Sequence, residues 1–228
     1  MGIKMNDEIE LVDDLNIELY KEIFEIIYEN HNLYCNDWHC TLKNDINLKR
    51  KTIDDIYKDS ENMDLDFLKY MLLFLKDLDS LQDEIIFYFS QKPFINVRSR
   101  IKGMDSILNK ISIKKHSSDR GKIPINKCLN DLLGVRIIDD NWNKKLSYVK
   151  EYVLEAKNKG YRIKGIEREL EGYKGYHIYF RGLNNKHFPI ELQIWDKSDE
   201  DNNIKSHFKR KQNHLQRIED YKKIERGK

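Results

Sequence analysis

The stretch that most constrains the fold of this chain is residues 172–196, GYKGYHIYFRGLNNKHFPIELQIWD. Its last part alternates apolar and polar residues with a period of two, which predicts a half-buried β-strand. Its first part also has strand composition, and the turn GLNNK joins the two into a hairpin. His177 and Tyr179 share one strand face, and Glu191 and Gln193 share another. The pattern predicts that an imidazole, a phenol, a carboxylate and an amide meet on one sheet surface, which is typical of a functional site.

The charge is divided unequally along the chain. Residues 1–92 hold 21 acidic and 10 basic residues, a net charge of −11, whereas the remainder holds 18 against 31, a net charge of +13. A basic half suits an anionic ligand such as a nucleotide or RNA. The alternative is a solvated lysine-rich surface that an acidic helical segment balances.

Composition and cysteine usage indicate a compartment. No apolar run is long enough to cross a bilayer and the first residues lack an apolar signal segment, so we expect a cytoplasmic protein with no membrane partner. The odd, sparse set Cys35, Cys40 and Cys128 agrees with a reducing compartment. Together with His31 and His39, the first two cysteines are metal-ligand types. They lack paired Cys-x-x-Cys spacing, which favours a packed loop and leaves metal binding open.

The first third of the chain is predicted to be helical. Apolar residues recur at three- and four-residue steps over Glu8–Asn30 and again over Leu65–Ser90, with a short helix at Asp54–Lys58 between them. No catalytic constellation is visible there. We therefore predict a helical N-terminal extension over 1–92, followed by a catalytic domain over 93–228 with a basic C-terminal helix.

Four polar residues follow the start of that second domain at offsets of 0, 2, 6 and 10. Arg100 and Lys102 share a strand face, and Ser106 and Lys110 share a helix face one turn apart. Three cations and a hydroxyl on one side make a candidate polyphosphate clamp. A solvated basic surface is the alternative for this unit taken alone.

A carboxylate, Asp131, then stands in an otherwise apolar run, where it must be hydrogen-bonded, charge-paired or metal-bound. The remaining predicted elements are a strand over Gly134–Asp139, a helix over Asn141–Lys159, a strand over Tyr161–Ile166, a charged link over Glu167–Glu171, and a last helix from Asp201 or Asn202 to about Arg226.

Four blocks in order resemble the synthetase domain of the RelA/SpoT family, which makes the alarmones ppGpp and pppGpp. They are RSRIKGMDSILNK at 98–110, LNDLLGVRII at 129–138, GYKGYH at 172–177 and IELQIW at 190–195. The last two resemble Gly-Tyr-Arg-Ser-Leu-His and Glu-Val-Gln-Ile-Arg. The resemblance covers about half of the chain, roughly 94–211, and implies a small, single-domain alarmone synthetase.

The resemblance implies a pyrophosphokinase that transfers the β,γ-pyrophosphate of ATP to the 3′-hydroxyl of GDP or GTP and releases AMP. Mg²⁺ would be held by the catalytic carboxylates Asp131 and Glu191. The implied ATP-binding residues are Arg100, Lys102, Ser106, Lys110 and Arg136. The implied acceptor-binding residues are Gly172, Tyr173, Lys174, His177 and Gln193.

The resemblance also has departures at Glu169, Glu171 and Trp195. The family usually has a lysine, an asparagine or serine, and an arginine at these positions, so the acceptor side has lost positive charge. One alternative is therefore a toxin-like relative that pyrophosphorylates the 3′ end of tRNA and has an antitoxin partner. A second is a non-catalytic nucleotide- or RNA-binding regulator. Assembly into a homo-oligomer stays open.

For the fold we expect an α+β protein with a mixed sheet of about five strands flanked by helices. This is a nucleotidyltransferase-like synthetase domain with the helical N-terminal extension.

Overall fold

The structure, a computed structural model, describes residues 5–40, 46–59, 62–92, 96–140 and 142–226. Five strands and seven α-helices are found in this part of the chain. The helices are α1 (Met5–Cys40), α2 (Leu65–Lys76), α3 (Leu78–Ser90), α4 (Met104–Lys115), α5 (Ile125–Cys128), α6 (Trp142–Asn158) and α7 (Glu200–Arg226). The strands are β1 (Asn96–Ile101), β2 (Leu133–Asp139), β3 (Ile163–Leu170), β4 (Tyr173–Phe180) and β5 (Ile190–Asp196). Short 3-10 turns lie at Asp54–Ile56 and Lys197–Asp199.

The strands form one mixed sheet in the order β1-β2-β5-β4-β3. β2 and β5 are parallel, and every other neighbouring pair is antiparallel. The predicted fold class is therefore confirmed, as is the hairpin of β4 and β5. Its register places Tyr179 opposite Glu191 and His177 opposite Gln193. The four polar side chains that the alternation predicted to meet do lie on one face of the sheet.

The hairpin of β3 and β4 turns on two residues with positive φ, Glu171 at 54° and Gly172 at 79°. Positive φ at both central positions is the geometry of a type I′ turn, which matches the twist of the flanking strands. The predicted charged link over Glu167–Glu171 is wrong, because β3 continues to Leu170 and pairs along its whole length with β4. An edge strand accepts such exposed charges.

One face of the sheet packs on the main hydrophobic core. Apolar side chains such as Ile137, Ile178 and Ile194 meet α1, α3 and α6 there. The other face is covered in part by α7, which contacts β4, so every residue of β5 is buried rather than only its apolar half. Burial of both faces encloses the polar side chains of β5 and lowers the local dielectric around them.

α1 runs on to Cys40, so the loop predicted for 31–40 is wrong. The helix continues through this segment and packs it against the rest of the protein. Cys35 and Trp38 are buried, and the ring Nε2 of His31 donates a hydrogen bond to the Phe188 carbonyl at 3.1 Å. The side chains of His39 and Cys40 lie outside the described residues. Among those described, no group of three or more histidine, cysteine or carboxylate side chains is placed to hold a metal.

The single helix predicted over Leu65–Ser90 is wrong, since the chain breaks at Asp77 into α2 and α3. Phe74 before the break and Leu78 after it both lie in the core, where each is at most 1% exposed. The N-terminal helices share one hydrophobic core with the sheet, and the division at residue 92 stays a prediction. In the described part of the chain, no helix is both long enough and apolar enough to cross a bilayer.

Candidate active site

A cavity of about 100 Å³ opens on the polar face of the sheet, where β1, β2 and β5 lie side by side. The register sets Arg98 opposite Arg136 on the first pair of strands, and Arg136 opposite Gln193 on the second. Because these positions share one face, cations and carboxyl or amide groups converge on the same space. The cavity is lined by Arg98, Ser99, Arg100, Asp131, Gly134, Val135, Arg136, Glu191 and Gln193.

Asp131 lies between two ammonium groups. Its Oδ2 is 2.8 Å from Nζ of Lys102, and its Oδ1 is 2.9 Å from Nζ of Lys110. Burial alone would raise the pKa of this carboxyl, but the two lysines outweigh burial and bring the pKa to about 2. Asp131 is therefore ionised and held in one orientation at neutral pH.

The other two residues of the predicted polyphosphate clamp are more open. Ser106 is exposed in the first turn of α4, one turn before Lys110. Arg100 is an exposed residue of β1 that lines the cavity, and within the described chain it has no ion-pair partner. Three of the predicted ATP-binding residues, Arg100, Lys102 and Lys110, thus lie around the Asp131 end of the site, and the cation at Arg100 is available to a ligand.

Glu191 is the second carboxylate of the cavity and is only 5% exposed. Its Oε1 accepts hydrogen bonds from Nδ1 of His177 at 2.8 Å and from the Tyr179 hydroxyl at 2.9 Å, and its Oε2 accepts one from Nε2 of Gln193 at 2.7 Å. Burial would raise the pKa of Glu191, but the hydrogen bonds that it accepts from His177 and Gln193 outweigh burial, and the pKa is lowered. A second ionised carboxylate therefore faces the cations.

Arg136 is held from two sides. Its Nε and Nη2 donate to Oε1 of Gln193 at 3.1 and 3.0 Å, and its Cζ lies 3.6 Å from the centroid of the Trp195 ring. Burial lowers the pKa of Arg136 to about 10, so the guanidinium still carries its charge at neutral pH. Arg136, which the family resemblance implied as an ATP-binding residue, therefore belongs to the cavity.

Tyr173 is enclosed on all sides and only 1% exposed. Its hydroxyl donates to Nε2 of His177 at 2.5 Å and accepts from Nε1 of Trp195 at 2.9 Å. Two residues of α7 also cover the ring, with His207 at 5.4 Å and Cζ of Arg210 at 5.2 Å from its centroid. Burial raises the pKa of Tyr173 to about 12. Tyr173 therefore joins the site through its hydroxyl, while α7 occupies the surroundings of its ring.

Two predicted acceptor-binding residues lie apart from the others. Lys174 follows Tyr173 on β4 and so points to the opposite face, where its Nζ is 3.4 Å from Oε1 of Glu169. Gly172 lies in the hairpin turn. The carboxylate of Glu169 faces away from the cavity, so it exerts less repulsion on an anionic acceptor than the sequence implied.

The structure adds two residues, Arg98 and Trp195, that the sequence-based site set left out, and it places Tyr179, which strand alternation had assigned to the polar face, in contact with Glu191. Arg98 lines the cavity and pairs with Glu200 of α7 at 2.7 Å, and Trp195 supports Arg136. Strand alternation could have identified Arg98, because it shares a strand face with Arg100. Only the fold indicates the role of Trp195.

The donor set of the cavity fits a magnesium ion bound together with substrate. Asp131 and Glu191 both line it and both are ionised. Mg²⁺ prefers oxygen ligands and is commonly held by one or two carboxylates plus substrate phosphates and water. Each carboxylate keeps lone pairs beyond its present hydrogen bonds.

A larger cavity of about 530 Å³ lies between α1, α2 and α3. Its lining combines acidic side chains such as Asp37 and Glu84 with apolar ones such as Trp38. None of the residues that the sequence singled out for catalysis or nucleotide binding lines it. Size alone does not identify a site, and it is the smaller cavity that the predicted catalytic carboxylates line.

The protein is of the α+β class, and three arginines and two carboxylates line the cavity on its sheet. A family model described as a region found in RelA / SpoT proteins matches residues 99–215. The match covers half of the chain and contains the cavity residues from Ser99 to Gln193. The chain belongs to the RelA/SpoT family.

The solved structures that the chain is similar to include small alarmone synthetase 1 from Bacillus subtilis bound to its product pppGpp, with 19% identity, 71% of this chain and 97% of that chain covered, and a TM-score of 0.40. A second structure of that synthetase has 22% identity, coverage of 59% and 72%, and a TM-score of 0.35. A GTP pyrophosphokinase family protein from Streptococcus pneumoniae has 18% identity, coverage of 66% and 76%, and a TM-score of 0.37. No curated protein sequence matches significantly. Because these TM-scores are low, the family assignment comes from the sequence match.

Proposed function

We propose that this protein is an ATP-dependent pyrophosphokinase that makes an alarmone of the (p)ppGpp type from a guanosine nucleotide. The observation that carries the proposal is the cavity in which two ionised carboxylates, Asp131 and Glu191, face three arginines. Phosphoryl-type transfer needs charge neutralisation and alignment more than covalent help from the protein. Membership of the family supports the same reaction.

In the proposed reaction the acceptor 3′-oxygen forms a bond to the β-phosphorus of ATP, and the bond from that phosphorus to the α,β-bridging oxygen breaks. AMP leaves with the bridging oxygen. The arginines of the cavity, with Lys102 and Lys110, bind the phosphates and spread the developing negative charge. Mg²⁺ held by Asp131 and Glu191 would supply further charge neutralisation when bound.

The proton of the acceptor hydroxyl has a candidate receiver in Oε2 of Glu191. Among the described residues this oxygen accepts a hydrogen bond only from Gln193, whereas Oε1 already accepts two. The ionised state of Glu191 at neutral pH suits a proton acceptor. His177 and Gln193 hold the carboxylate in place, so its position does not depend on the substrate.

The acceptor is expected to enter beside Tyr173. Stacking of a guanine base on that ring would require His207 and Arg210 of α7 to move away from it. An acceptor that is held by its ribose and phosphates instead would leave α7 in place. The test therefore compares GDP, GTP, GMP and the 3′ end of tRNA as acceptors.

The test offers ATP labelled in its γ-phosphate, with Mg²⁺, to the purified protein with GDP, GTP, GMP or bulk tRNA. We expect label on a guanosine nucleotide and release of AMP. Label on tRNA alone would replace the proposal with the toxin-like activity, and absence of both label and AMP would replace it with a non-catalytic regulator.

Two isosteric variants test the named carboxylates. D131N and E191Q should each lower the rate of transfer by about 100-fold or more, while the variants still fold. E167Q is the matched control, because Glu167 is an exposed residue of β3 that pairs with Lys150 outside the cavity. Unchanged transfer in D131N or E191Q would contradict the assignment.

A further inference from the structure

Trp195 lies at the end of the cavity network and is fully buried. Gly175 directly precedes Tyr176, the first residue of β4 that pairs with β5, and a Cβ atom added at Gly175 would lie 2.9 Å from Cδ1 of Trp195. The indole thus lies directly on the backbone of β4. A side chain at position 175 would displace the indole, so the observed position of Trp195 requires glycine at 175.

The indole holds its place through several contacts. Its Nε1 donates to the Tyr173 hydroxyl at 2.9 Å, and its ring stacks with His207 at 5.6 Å and an interplanar angle of 29°. Ile138 and Ile204 complete its apolar surroundings. A ring fixed in this way is a rigid platform for whatever lies on its face.

Arg136 lies on that face. Its Cζ is 3.6 Å from the ring centroid, within the range of a strong cation–π contact, and Gln193 holds the Nε and Nη2 edge of the same guanidinium. Two points of attachment fix the plane of the group. Nη1 has no hydrogen-bond acceptor within the described residues, and Arg136 lines the cavity.

We propose that Trp195 is a positioning residue that fixes Arg136 as a phosphate-binding cation of the cavity. This inference rests on the proposed function in taking polyphosphate as the ligand. Trp195 itself does not touch the substrate. It acts through Arg136, whose guanidinium would otherwise sample many rotamers and lose part of its binding free energy in being ordered.

The test compares W195F, which keeps an aromatic face, with W195L, which removes it. Binding of inorganic pyrophosphate with Mg²⁺ is measured by titration calorimetry, and KM and kcat for ATP are measured alongside. W195F should bind within about threefold of wild type, and W195L about tenfold more weakly. KM for ATP should rise more than kcat falls, because the lost interaction is one of substrate binding.

The control is W142L, since Trp142 is equally buried but packs against Tyr176 on the other sheet face. It should lose stability without losing pyrophosphate affinity. If W195L does not fold, W195M takes its place, because methionine fills more of the volume. Wild-type affinity in folded W195L or W195M would overturn the inference.

A double-mutant cycle asks whether Trp195 acts through Arg136. In an R136L background, adding W195L should weaken pyrophosphate binding no further, and additive losses would overturn the inference. The outcomes also separate this inference from the proposed function. Pyrophosphate binding that depends on Trp195, without labelled product from any acceptor, would support the positioning role and contradict the pyrophosphokinase. Labelled product from the wild type, together with unaltered pyrophosphate binding in W195L, would support the pyrophosphokinase and contradict the positioning role.

Discussion

The two carboxylates of the cavity are kept ionised by different partners. Asp131 is paired with two lysines, while Glu191 is bound by an imidazole, a phenol and an amide. The lysines of Asp131 are themselves candidate phosphate ligands, so a substrate would draw on the cations that now neutralise this carboxylate. The partners of Glu191 are an imidazole, a phenol and an amide rather than phosphate-binding cations. Asp131 is therefore the residue whose surroundings depend most on the ligand.

The first prediction concerns D131N. The pKa of Asp131 is about 2 instead of 3.8, so its charge favours the folded state by about 2 kcal/mol at neutral pH. Because the folded pKa is the lower one, this stability is present above 3.8 and is lost as the pH falls through 2. D131N should be less stable than wild type by that amount in urea unfolding.

The pH dependence distinguishes this effect from a loss of packing. The difference between wild type and D131N should shrink as the pH is lowered from 7 toward about 3. If the difference in the free energy of unfolding stays constant over this range, the conclusion that the two lysines lower the pKa of Asp131 is contradicted. E167Q, at an exposed ion pair, should show little difference at any pH.

The second prediction concerns Gly175. In G175A the new methyl group would lie 2.9 Å from both Cδ1 of Trp195 and the Tyr173 hydroxyl. Overpacking of this kind costs about 1–3 kcal/mol, measured as a fall in the free energy of unfolding. Pyrophosphate affinity should fall with it, because the platform under Arg136 shifts.

G103A is the control for G175A, since nothing lies within 4 Å of the Cβ position at Gly103. It should change stability by less than about 0.5 kcal/mol. Equal stability of G175A and G103A would contradict the close packing of Trp195 on β4.

Among the elements, α7 is tied to the polar face of the sheet along its first three turns. Glu200 pairs with Arg98 of β1 at 2.7 Å, and Arg210 donates to the Leu170 carbonyl of β3 at 2.8 Å. Between them Asn203 is fully buried, and its side-chain amide accepts from the backbone N–H of Lys174 and donates to the carbonyl of the same residue, both at 2.7 Å. Asn203 thus continues the ladder of β4 beyond the end of β5.

The third prediction is that N203A releases α7 from β4. The backbone N–H and carbonyl of Lys174 lose their hydrogen-bond partner, which costs about 1–2 kcal/mol. Hydrogen exchange at the Lys174 amide should speed up, and the shielding of Tyr173 by α7 should weaken. N202A is the matched control, because Asn202 is the exposed neighbour on the same helix. Unaltered exchange in N203A would contradict this attachment.

For the molecule as a whole, α1 joins the N-terminal helices to the sheet through one core. Phe24 of α1 packs against Phe180 of β4 and Tyr152 of α6, with ring centroids 6.3 and 5.6 Å away. His31 lies in the same interface, fully buried, and donates to the Phe188 carbonyl just before β5. A protonated imidazole there would be a charge placed in the core.

The fourth prediction follows from that burial. Burial, and next the nearby His187, lower the pKa of His31 to about 3. The unfolded chain binds a proton near pH 6.5 while the folded chain does not, so stability is full above 6.5 and falls toward 3, at up to about 1.4 kcal/mol per pH unit.

H31Q removes the titrating group but can still donate to the Phe188 carbonyl. Its stability, measured by urea unfolding between pH 7 and about 4.5, should fall less steeply than that of wild type, by the equivalent of about one proton. Parallel curves for the two proteins would contradict the role given to His31.

The sequence by itself determined the elements whose signal is local. The period of two marked β4 and β5 and the face that carries His177, Glu191 and Gln193, because alternation along a strand fixes which side chains share a surface. The spacing of Lys102 and Lys110 placed both near one ligand, and they meet at Asp131. Four ordered blocks were enough to indicate the family, and the family model matches the same stretch.

Only the tertiary structure decided what depends on contacts between distant segments. The pairing of β1 with β2 and of β2 with β5 brings Arg98, Arg136 and Gln193 together, because alternation within one strand does not say which strands are its neighbours. α7 encloses Tyr173, and Trp195 supports Arg136 across neighbouring strands. Packing free energy depends on partners far apart in the chain, so local periodicity locates a polar face but does not say what covers it.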